Sequence, residues 1–127
     1  MKILICGLPG SGKSTLAEPF CKLINGIWLN ADQVRTQYDD WDFSLEGRLR
    51  QAQRMRYLAD GVVMAGRIAV ADFVCPTSAA RAAFGADYTV FMDTLKASKS
   101  TKEAAPGTTF ADTDRMFEPL QNCNYHV

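Results

Sequence analysis

The chain has 127 residues, a length that suits one domain built around one hydrophobic core. Hydrophobic residues make up 47% and charged residues 22%, the composition of an ordinary globular protein. Lys and Arg together number 14, as do Asp and Glu, so charge gives no reason to expect a nucleic acid or an anionic membrane as the main partner. The longest nearly apolar run, 68–76, is far too short to span a bilayer.

The cysteines and the single histidine exclude a zinc-type cluster. The 4 cysteines form no C-x-x-C pair, and His126 stands alone near the end of the chain. Cys6 and Cys21 are expected to be small buried apolar residues. Cysteines that serve as buried apolar residues are typical of proteins in a reducing compartment, so we expect a cytoplasmic protein.

Strand and helix patterns alternate along the first 92 residues. The first segment, 2–6 (KILIC), is predicted to be a buried strand rather than a signal peptide, because it runs directly into a glycine-rich loop. Further strands are predicted at 27–29, 68–74 and 87–92, and helices at 13–24, 30–37, 44–66 and 77–84. Asn30, Ser44 and Thr77 are the residues expected at the starts of the last three helices.

The end of the chain has a weaker pattern. Residues 96–109 are polar, small and cationic, 110–120 are irregular, and 123–127 predict a last short strand. We expect the segment 96–118 to be mobile or to form a lid, in which Lys96, Lys99, Lys102 or Arg115 covers the transferring phosphate. Strands that alternate with helices predict a doubly wound α/β fold with a mostly parallel sheet.

The glycine-rich loop carries the most specific motif. Residues 7–14 (GLPGSGKS), followed by Thr15, match G-x-x-x-x-G-K-S/T between a buried strand and an amphipathic helix. In such a loop backbone N–H groups face phosphate oxygens, the lysine reaches the β- and γ-phosphates, and the serine hydroxyl coordinates Mg²⁺. The residues expected to bind ATP are Gly7, Pro9, Gly10, Ser11, Gly12, Lys13, Ser14 and Thr15.

One acidic residue interrupts the third predicted strand. If this strand lies beside the first, Asp72 reaches the phosphate loop and is a candidate to hold Mg²⁺ together with Ser14. A hydrogen-bonded structural aspartate is the alternative, because an acid in an apolar run needs a partner.

Three stretches lie where a phosphate acceptor should bind, beyond the carboxyl ends of the strands. They are 29–35 (LNADQVR), 40–54 (DWDFSLEGRLRQAQR) and 73–76 (FVCP), the last followed by Arg81. These stretches resemble the adenylyl-sulfate (APS) kinases, whose patterns run L-D-G-D-N-V-R, D-L-G-F-S-x-E-D-R-x-x-N-x-R-R and F-I-S-P. A looser match to the family's F-T-G-I-D-x-P-Y-E-P at 110–119 extends the resemblance over nearly the whole chain.

The resemblance implies roles for residues on the acceptor side. Asp32 takes the place of an aspartate that lies near the acceptor hydroxyl and the metal, where it is a candidate to act as base or to orient the hydroxyl. Arg35 takes that of the arginine that binds the acceptor's anionic end, and Phe43 that of the aromatic residue that stacks on its adenine. Further matches on this side are Arg48, Gln51, Arg54, Cys75 and Pro76, with no chemical role assigned to Cys75.

The chemistry of these residues agrees with such an acceptor. Arginine forks suit an anionic group, an aromatic face from Phe43 or Trp41 suits a planar base, and a carboxylate such as Asp32 suits a hydroxyl nucleophile. Simpler alternatives exist for each residue. Phe43 could pack in the core, the arginines could form a solvated helix face, and Asp32 could serve only to stabilise the helix dipole. The chain departs from the family patterns at Asn30, Ala31, Gly47, Gln51, Gln53 and Cys75.

We therefore expect residues 1–127 to form a single P-loop kinase domain: a nucleotide-kinase-like P-loop NTPase with three α/β/α layers and a mostly parallel five-stranded sheet. The favoured activity is phosphoryl transfer from Mg-ATP to APS, with Lys13 and Asp32 as catalytic residues. Other acceptors (a nucleotide, a polynucleotide or a metabolite hydroxyl) stay open, as does a degenerate nucleotide-binding module. A small-molecule nucleotide is the expected partner. A homodimer is compatible with the sequence.

Overall fold

A computed structural model of the protein describes residues 1–93, 117–118, 120 and 123–127. Over these residues the chain forms five strands and four helices. The strands are β1 (Lys2–Gly7), β2 (Ile27–Asn30), β3 (Ala69–Asp72), β4 (Tyr88–Met92) and β5 (Tyr125–His126). The helices are α1 (Lys13–Ile24), α2 (Ala31–Tyr38), α3 (Leu45–Met64) and α4 (Ser78–Phe84).

The strands form one parallel sheet in the order β2-β3-β1-β4-β5. Because all strands run in the same direction, their carboxyl ends meet at one edge of the sheet. β1, which leads into the phosphate loop, lies beside β3, which ends at Asp72. The predicted α/β fold with a parallel five-stranded sheet is confirmed.

Helices cover both faces of the sheet. Along β1, Leu4 belongs to a core cluster shared with α3 and α4, whereas Ile3 and Ile5 belong to a second cluster shared with α1. Successive residues of a strand point to opposite faces, which explains this division. Cys6 and Cys21 are both buried, as predicted. The result is the expected arrangement of three layers.

Three helices begin at the polar residues that the sequence indicated. The side-chain oxygens of Asn30, Ser44 and Thr77 accept hydrogen bonds from backbone N–H groups in the first turns of α2, α3 and α4. Such caps satisfy N–H groups that have no partner within the helix. The caps fix where the chain enters each helix near the carboxyl edge of the sheet.

The third strand is shorter than predicted. The apolar run suggested 68–74, but β3 ends at Asp72. The backbone N–H of Phe73 still donates to Ile5 O at 3.2 Å, after which the chain leaves the sheet. Cys75 has a φ of 46°, a left-handed conformation that no strand accommodates. Residues 73–76 therefore lie in a loop beyond the carboxyl end of β3.

Most of the segment expected to be a lid lies outside the described residues, including Lys96, Lys99, Lys102 and Arg115. Its last two residues are described and contact the body of the protein. The Phe117 ring stacks on that of Phe91 at 5.8 Å between centroids. The Glu118 carboxylate accepts hydrogen bonds from both the backbone N–H and the hydroxyl of Ser78.

No helix within the described ranges combines the length and the apolar character that crossing a membrane requires.

Candidate active site

The phosphate loop connects β1 to α1 at the carboxyl edge of the sheet. Gly12 has a φ of 96° and precedes the first turn of α1, so a residue with a side chain would be strained there. A Cβ atom on Gly7 would lie 2.6 Å from Met92 O, which leaves room only for glycine between β1 and β4. The loop leads directly into the N-terminus of α1, and such a helix start suits an anion.

Lys13 lies in a largely desolvated environment beside the loop. Its Nζ donates a hydrogen bond to Leu8 O at 3.0 Å. Burial lowers the pKa of Lys13, and the nearby negative charge of Asp72 opposes that shift. Because burying the charged amine is costly, an anion that enters the loop, such as a nucleotide phosphate, would stabilise the charged form of Lys13.

Asp72 joins the phosphate loop to the end of the neighbouring strand. The Ser14 hydroxyl donates to Asp72 Oδ2 at 2.9 Å, and Asn30 Nδ2 lies 3.4 Å from the same oxygen. Burial raises the pKa of Asp72, while the Ser14 hydrogen bond and the charge of Lys13 act to lower it. A buried carboxylate in this setting is stabilised by a bound cation.

The Ser14 hydroxyl oxygen and the Asp72 carboxylate are ligands of the kind that a magnesium ion prefers. Hydroxyl and carboxylate oxygens are hard ligands, and Mg²⁺ in phosphate sites takes few ligands from the protein, filling the rest with water and phosphate. Within the described part of the chain no cluster of three or more His, Cys, Asp or Glu side chains forms a self-sufficient metal cage. The arrangement thus suits a cation that arrives with a nucleotide.

A cavity of about 790 Å³ opens beside the loop and extends along the carboxyl edge of the sheet. Residues predicted to bind the phosphate donor and residues predicted to bind the acceptor both line this cavity. Its walls are formed by Pro9, Gly10, Lys13, Ser14, Asn30, Ala31, Asp32, Arg35, Trp41, Phe43, Arg48, Gln51, Asp72, Phe73, Val74, Cys75 and Pro76. Four of the predicted ATP-binding residues, Gly7, Ser11, Gly12 and Thr15, do not line it.

Asp32 lies in the first turn of α2 and lines the cavity. Its side chain is exposed, and among the described residues none donates a hydrogen bond to its carboxylate. Burial lowers the pKa of Lys13, and the negative charge of Asp32 is among the charges that oppose this shift. The carboxylate is therefore available to a ligand and electrostatically linked to the donor side.

Arg35 and Arg48 are buried around one aromatic ring. Their guanidinium carbons lie 4.3 Å and 5.2 Å from the centroid of Phe43, and their side chains are only 4% and 7% exposed. Arg35 Nη1 donates to the carbonyl oxygens of Asp40 and Asp42, and Arg48 Nε donates to that of Phe43. Burial lowers the pKa of Arg35, and the nearby Asp40 opposes this. Two cations are thus held at the cavity wall by carbonyls and a π face.

Gln51 and Arg54 connect α3 to the start of α2 and to the loop before α3. Gln51 Nε2 donates to Ala31 O at 3.1 Å and Gln51 Oε1 accepts from Arg54. Arg54 does not line the cavity, and its guanidinium instead pairs with the Asp40 carboxylate at 2.8 Å. The guanidinium of Arg54 is thus engaged by the Asp40 carboxylate in the preceding loop, and a role for Arg54 toward the acceptor stays a prediction.

The loop after β3 is held by Arg81. Its guanidinium donates to the carbonyl oxygens of Cys75, Pro76 and Glu118. The Cys75 thiol is buried and its pKa is raised well above the usual range, chiefly by burial. Cys75 and Pro76 consequently shape the cavity wall, and the thiol is poorly suited to act as a nucleophile.

Sequence reasoning missed the contact between Asn30 and Asp72. Asn30 departs from the family pattern and caps α2, and its amide also contacts the Asp72 carboxylate to which Ser14 donates. Its place at the end of β2, which pairs with β3 in register with Asp72, is the signal that could have revealed it.

The parallel sheet with this strand order, the phosphate loop and the cavity define a P-loop kinase. The family model of adenylylsulphate kinase matches residues 1–102. The chain therefore belongs to the adenylylsulphate kinase family, a group of nucleotide-binding phosphotransferases.

Solved structures share the fold. The APS kinase CysC of Mycobacterium tuberculosis, in complex with AMPPNP and APS, superposes with a TM-score of 0.79 at 20% identity, covering 99% of this chain and 86% of that one. A gluconokinase from Sinorhizobium meliloti gives 0.68 at 16% identity, covering 99% and 79%. Shikimate kinase from Acinetobacter baumannii, in complex with shikimate, gives 0.64 at 16% identity, covering 99% and 82%. No curated protein sequence matches the chain.

Proposed function

We propose that the protein transfers the γ-phosphoryl group of Mg-ATP to a hydroxyl group of adenylyl sulfate, giving ADP and PAPS. One observation carries the proposal: phosphate-loop residues and the Asp32, Arg35, Phe43 and Arg48 side chains line the same cavity. A donor phosphate and an acceptor hydroxyl held there would be brought together, and phosphoryl transfer depends mainly on such positioning and on charge neutralisation.

On the donor side, Lys13 would neutralise the β- and γ-phosphates. Its Nζ needs only to exchange the Leu8 carbonyl for a phosphate oxygen, a charge-assisted contact of greater strength. Backbone N–H groups of the loop from Gly7 to Thr15 would hold the remaining phosphate oxygens.

Ser14 and Asp72 would hold Mg²⁺, directly or through water. When bound, the ion neutralises charge on the β- and γ-phosphate oxygens. The role of Asn30 is to keep the Asp72 carboxylate oriented toward Ser14, through its amide contact with Oδ2.

On the acceptor side, Asp32 would orient the hydroxyl and accept its proton. Its exposed carboxylate faces the cavity, as a group that receives a proton from substrate must. Arg35 and Arg48 would neutralise the anionic end of the acceptor, and the aromatic pair of Trp41 and Phe43 would contact its base.

An assay of ADP release coupled to NADH oxidation tests the proposal. APS should stimulate turnover well above the ATPase background. Lys13→Ala should lower that turnover by about 100-fold or more, because it removes a preorganised cation from the transferring group. Asp32→Asn should lower it by about 100-fold, the usual contribution of a positioned base.

A matched control is available on the same helix. Asp39 is the capping residue that follows α2; its φ of 50° is a conformation that asparagine tolerates well, and its side chain does not line the cavity. Asp39→Asn should keep full activity. Absence of APS-dependent turnover in the wild-type protein would exclude the APS assignment.

Two other functions remain as outcomes of the same experiments. Gluconokinase and shikimate kinase share the fold, so acceptors without a base belong in the screen with labelled ATP. Tight ATP binding without transfer to any acceptor would instead indicate a nucleotide-binding module. The intact Lys13 and Ser14 and the Ser14–Asp72 contact favour catalysis.

The described cysteines are free thiols, which supports the proposal that the protein works in the reducing cytoplasm. A homodimer is a further proposal, which sedimentation at several concentrations would test.

A further inference from the structure

We propose that Asp42, in the loop before α3, takes over from an acidic side chain that the family pattern carries inside the helix at position 47, and that it thereby positions the acceptor side of the cavity. The proposal rests on the kinase function proposed above and adds a positioning residue to it. The pattern D-L-G-F-S-x-E-D-R aligns with residues 40–48 (DWDFSLEGR). It has glycine where this chain has Asp42 and aspartate where this chain has Gly47, so the two residue types have exchanged places.

The two exchanged positions lie against each other. A Cβ atom on Gly47 would lie 2.5 Å from Asp42 Cγ, and the Asp42 carbonyl oxygen would be too close to it as well. Gly47 is buried in the first turn of α3. The carboxyl group of Asp42 therefore occupies the space that a side chain at position 47 would need. With the loop in this place, only one of the two positions can carry an aspartate.

Asp42 completes the N-terminal cap of α3. Ser44 is the capping residue, and its hydroxyl accepts a hydrogen bond from the Gly47 N–H at 3.1 Å. In a capping box, the side chain three residues after the cap accepts a hydrogen bond from the backbone N–H of the capping residue. Glycine has no such side chain, and here Asp42 Oδ1 accepts from the Ser44 N–H at 3.0 Å. The loop residue thus supplies the half of the cap that the helix residue cannot.

The charge of Asp42 fits this role. Hydrogen bonds from Ser44 hold the pKa of Asp42 below its usual value, and Arg50 adds to this shift. A negative charge at the start of a helix is favourable. Arg50 Nη2 lies 3.2 Å from Asp42 Oδ2, but both side chains are largely exposed, so this ion pair contributes little. The contact with Ser44 is therefore the one that fixes the loop.

The cap is connected to the acceptor side of the cavity through the same residue. The Asp42 carbonyl oxygen accepts a hydrogen bond from Arg35 Nη1 at 3.2 Å, and the Arg35 guanidinium lies over the Phe43 ring. Arg35 and Phe43 line the cavity, whereas Asp42 does not. Asp42 therefore acts on an acceptor through Arg35. Without its anchor the loop would have to be ordered when an acceptor binds, at a cost in affinity.

Exchanging the two residues tests the proposal, with thermal denaturation as the first readout. Asp42→Gly removes the cap contact and should lower the melting temperature by about 4 °C. Gly47→Asp adds a side chain to occupied space, next to a like charge, and should lower it by about 8 °C. The double variant restores the family arrangement and should melt within about 3 °C of the wild type, whereas independent effects would add to about 12 °C. A double variant that shows the full sum would overturn the proposal.

Single substitutions of Asp42 give a second measurement, independent of how Gly47→Asp folds. Asp42→Ala should raise the KM for APS about tenfold, with kcat and ATP affinity within about twofold of the wild type, because only the loop that holds Arg35 is loosened. Asp42→Asn keeps an oxygen that can accept from the Ser44 N–H, so it should recover most of the loss. An unchanged KM in Asp42→Ala, or an equal loss in Asp42→Asn, would overturn the proposal.

The two proposals fail in distinguishable ways. If the double variant recovers the melting temperature but no protein of the series phosphorylates APS, the exchange of Asp42 and Gly47 stands and the APS kinase function falls. If APS is phosphorylated with the same KM in Asp42→Ala as in the wild type, the kinase function stands and the positioning role of Asp42 falls.

Discussion

Gly47 offers a sharp test of how the acceptor loop is packed. It lies in the first turn of α3, where a Cβ atom would come within 2.3 Å of Asp42 O and 2.5 Å of Asp42 Cγ. Ordinary contacts begin near 3.4 Å, so Gly47→Ala requires the loop to move by roughly 1 Å. Overpacking of this kind costs up to about 3 kcal/mol, against a gain of about 1 kcal/mol from the helix propensity of alanine.

The net loss is about 2 kcal/mol, which for a chain of this length lowers the melting temperature by about 8 °C. Because the displaced loop carries Trp41 and Phe43, acceptor affinity should fall while ATP affinity changes little. Thermal denaturation by circular dichroism and calorimetry with each ligand measure the two effects.

Gly61 is the matched control. It lies in the same helix, and a Cβ atom there would meet nothing within 4 Å. Gly61→Ala should therefore stabilise the protein by about 1 kcal/mol. If Gly47→Ala melts at or above the wild-type temperature with acceptor affinity intact, the close approach of the loop to α3 is wrong.

Three further predictions concern charged groups. Burial raises the pKa of Asp72, so its ionised form opposes folding. Asp72→Asn should therefore melt at or above the wild-type temperature at pH 7 and lose that advantage below about pH 4, where the carboxyl group is protonated. The same substitution should lower turnover by about 100-fold. Arg50 and Arg54 hold the pKa of Asp40 well below its usual range. The stability that Asp40 contributes is therefore present above about pH 4 and is lost as the pH falls further. In Asp40→Asn, the loss of stability between about pH 5 and 2, followed by circular dichroism, should be smaller than in the wild type. Arg35→Lys should weaken APS binding about tenfold by calorimetry and leave ATP binding within about twofold, because an ammonium cannot hold the two loop carbonyls as the guanidinium does.

Each of these predictions has a contrary result. A lower melting temperature for Asp72→Asn at pH 7 would mean that its carboxylate stabilises the empty site. An unchanged acid transition in Asp40→Asn would show that the arginine pairs contribute nothing to folding. Equal losses of ATP and APS affinity in Arg35→Lys would show that Arg35 serves the fold as a whole.

The parts of the molecule that depend on local sequence could be predicted. The phosphate loop follows from glycines at fixed spacing between a buried run and an amphipathic helix. The sequence predicts Asp72 near the phosphate loop on the condition that its strand lies beside the first, and β3 does pair with β1. Because the two strands are parallel, Asp72 then lies at the same edge of the sheet as the loop.

Contacts between distant segments could not be predicted. Helical spacing places Arg48, Gln51 and Arg54 near one another, but it does not reveal that Asp40 takes the guanidinium of Arg54. Hydrophobicity continues beyond Asp72, but the left-handed Cys75 ends β3 early, and such a conformation has no signal in the residue type. The close approach of Asp42 that requires Gly47 likewise depends on tertiary packing.

The most direct test of the central claim follows labelled phosphate from γ-labelled ATP. With wild-type protein and APS, label should appear in PAPS, while Lys13→Ala and Asp32→Asn should transfer about 100-fold less and Asp39→Asn should match the wild type. Label that reaches gluconate, shikimate or water but never APS, with equal efficiency in wild type and Asp32→Asn, would contradict the account.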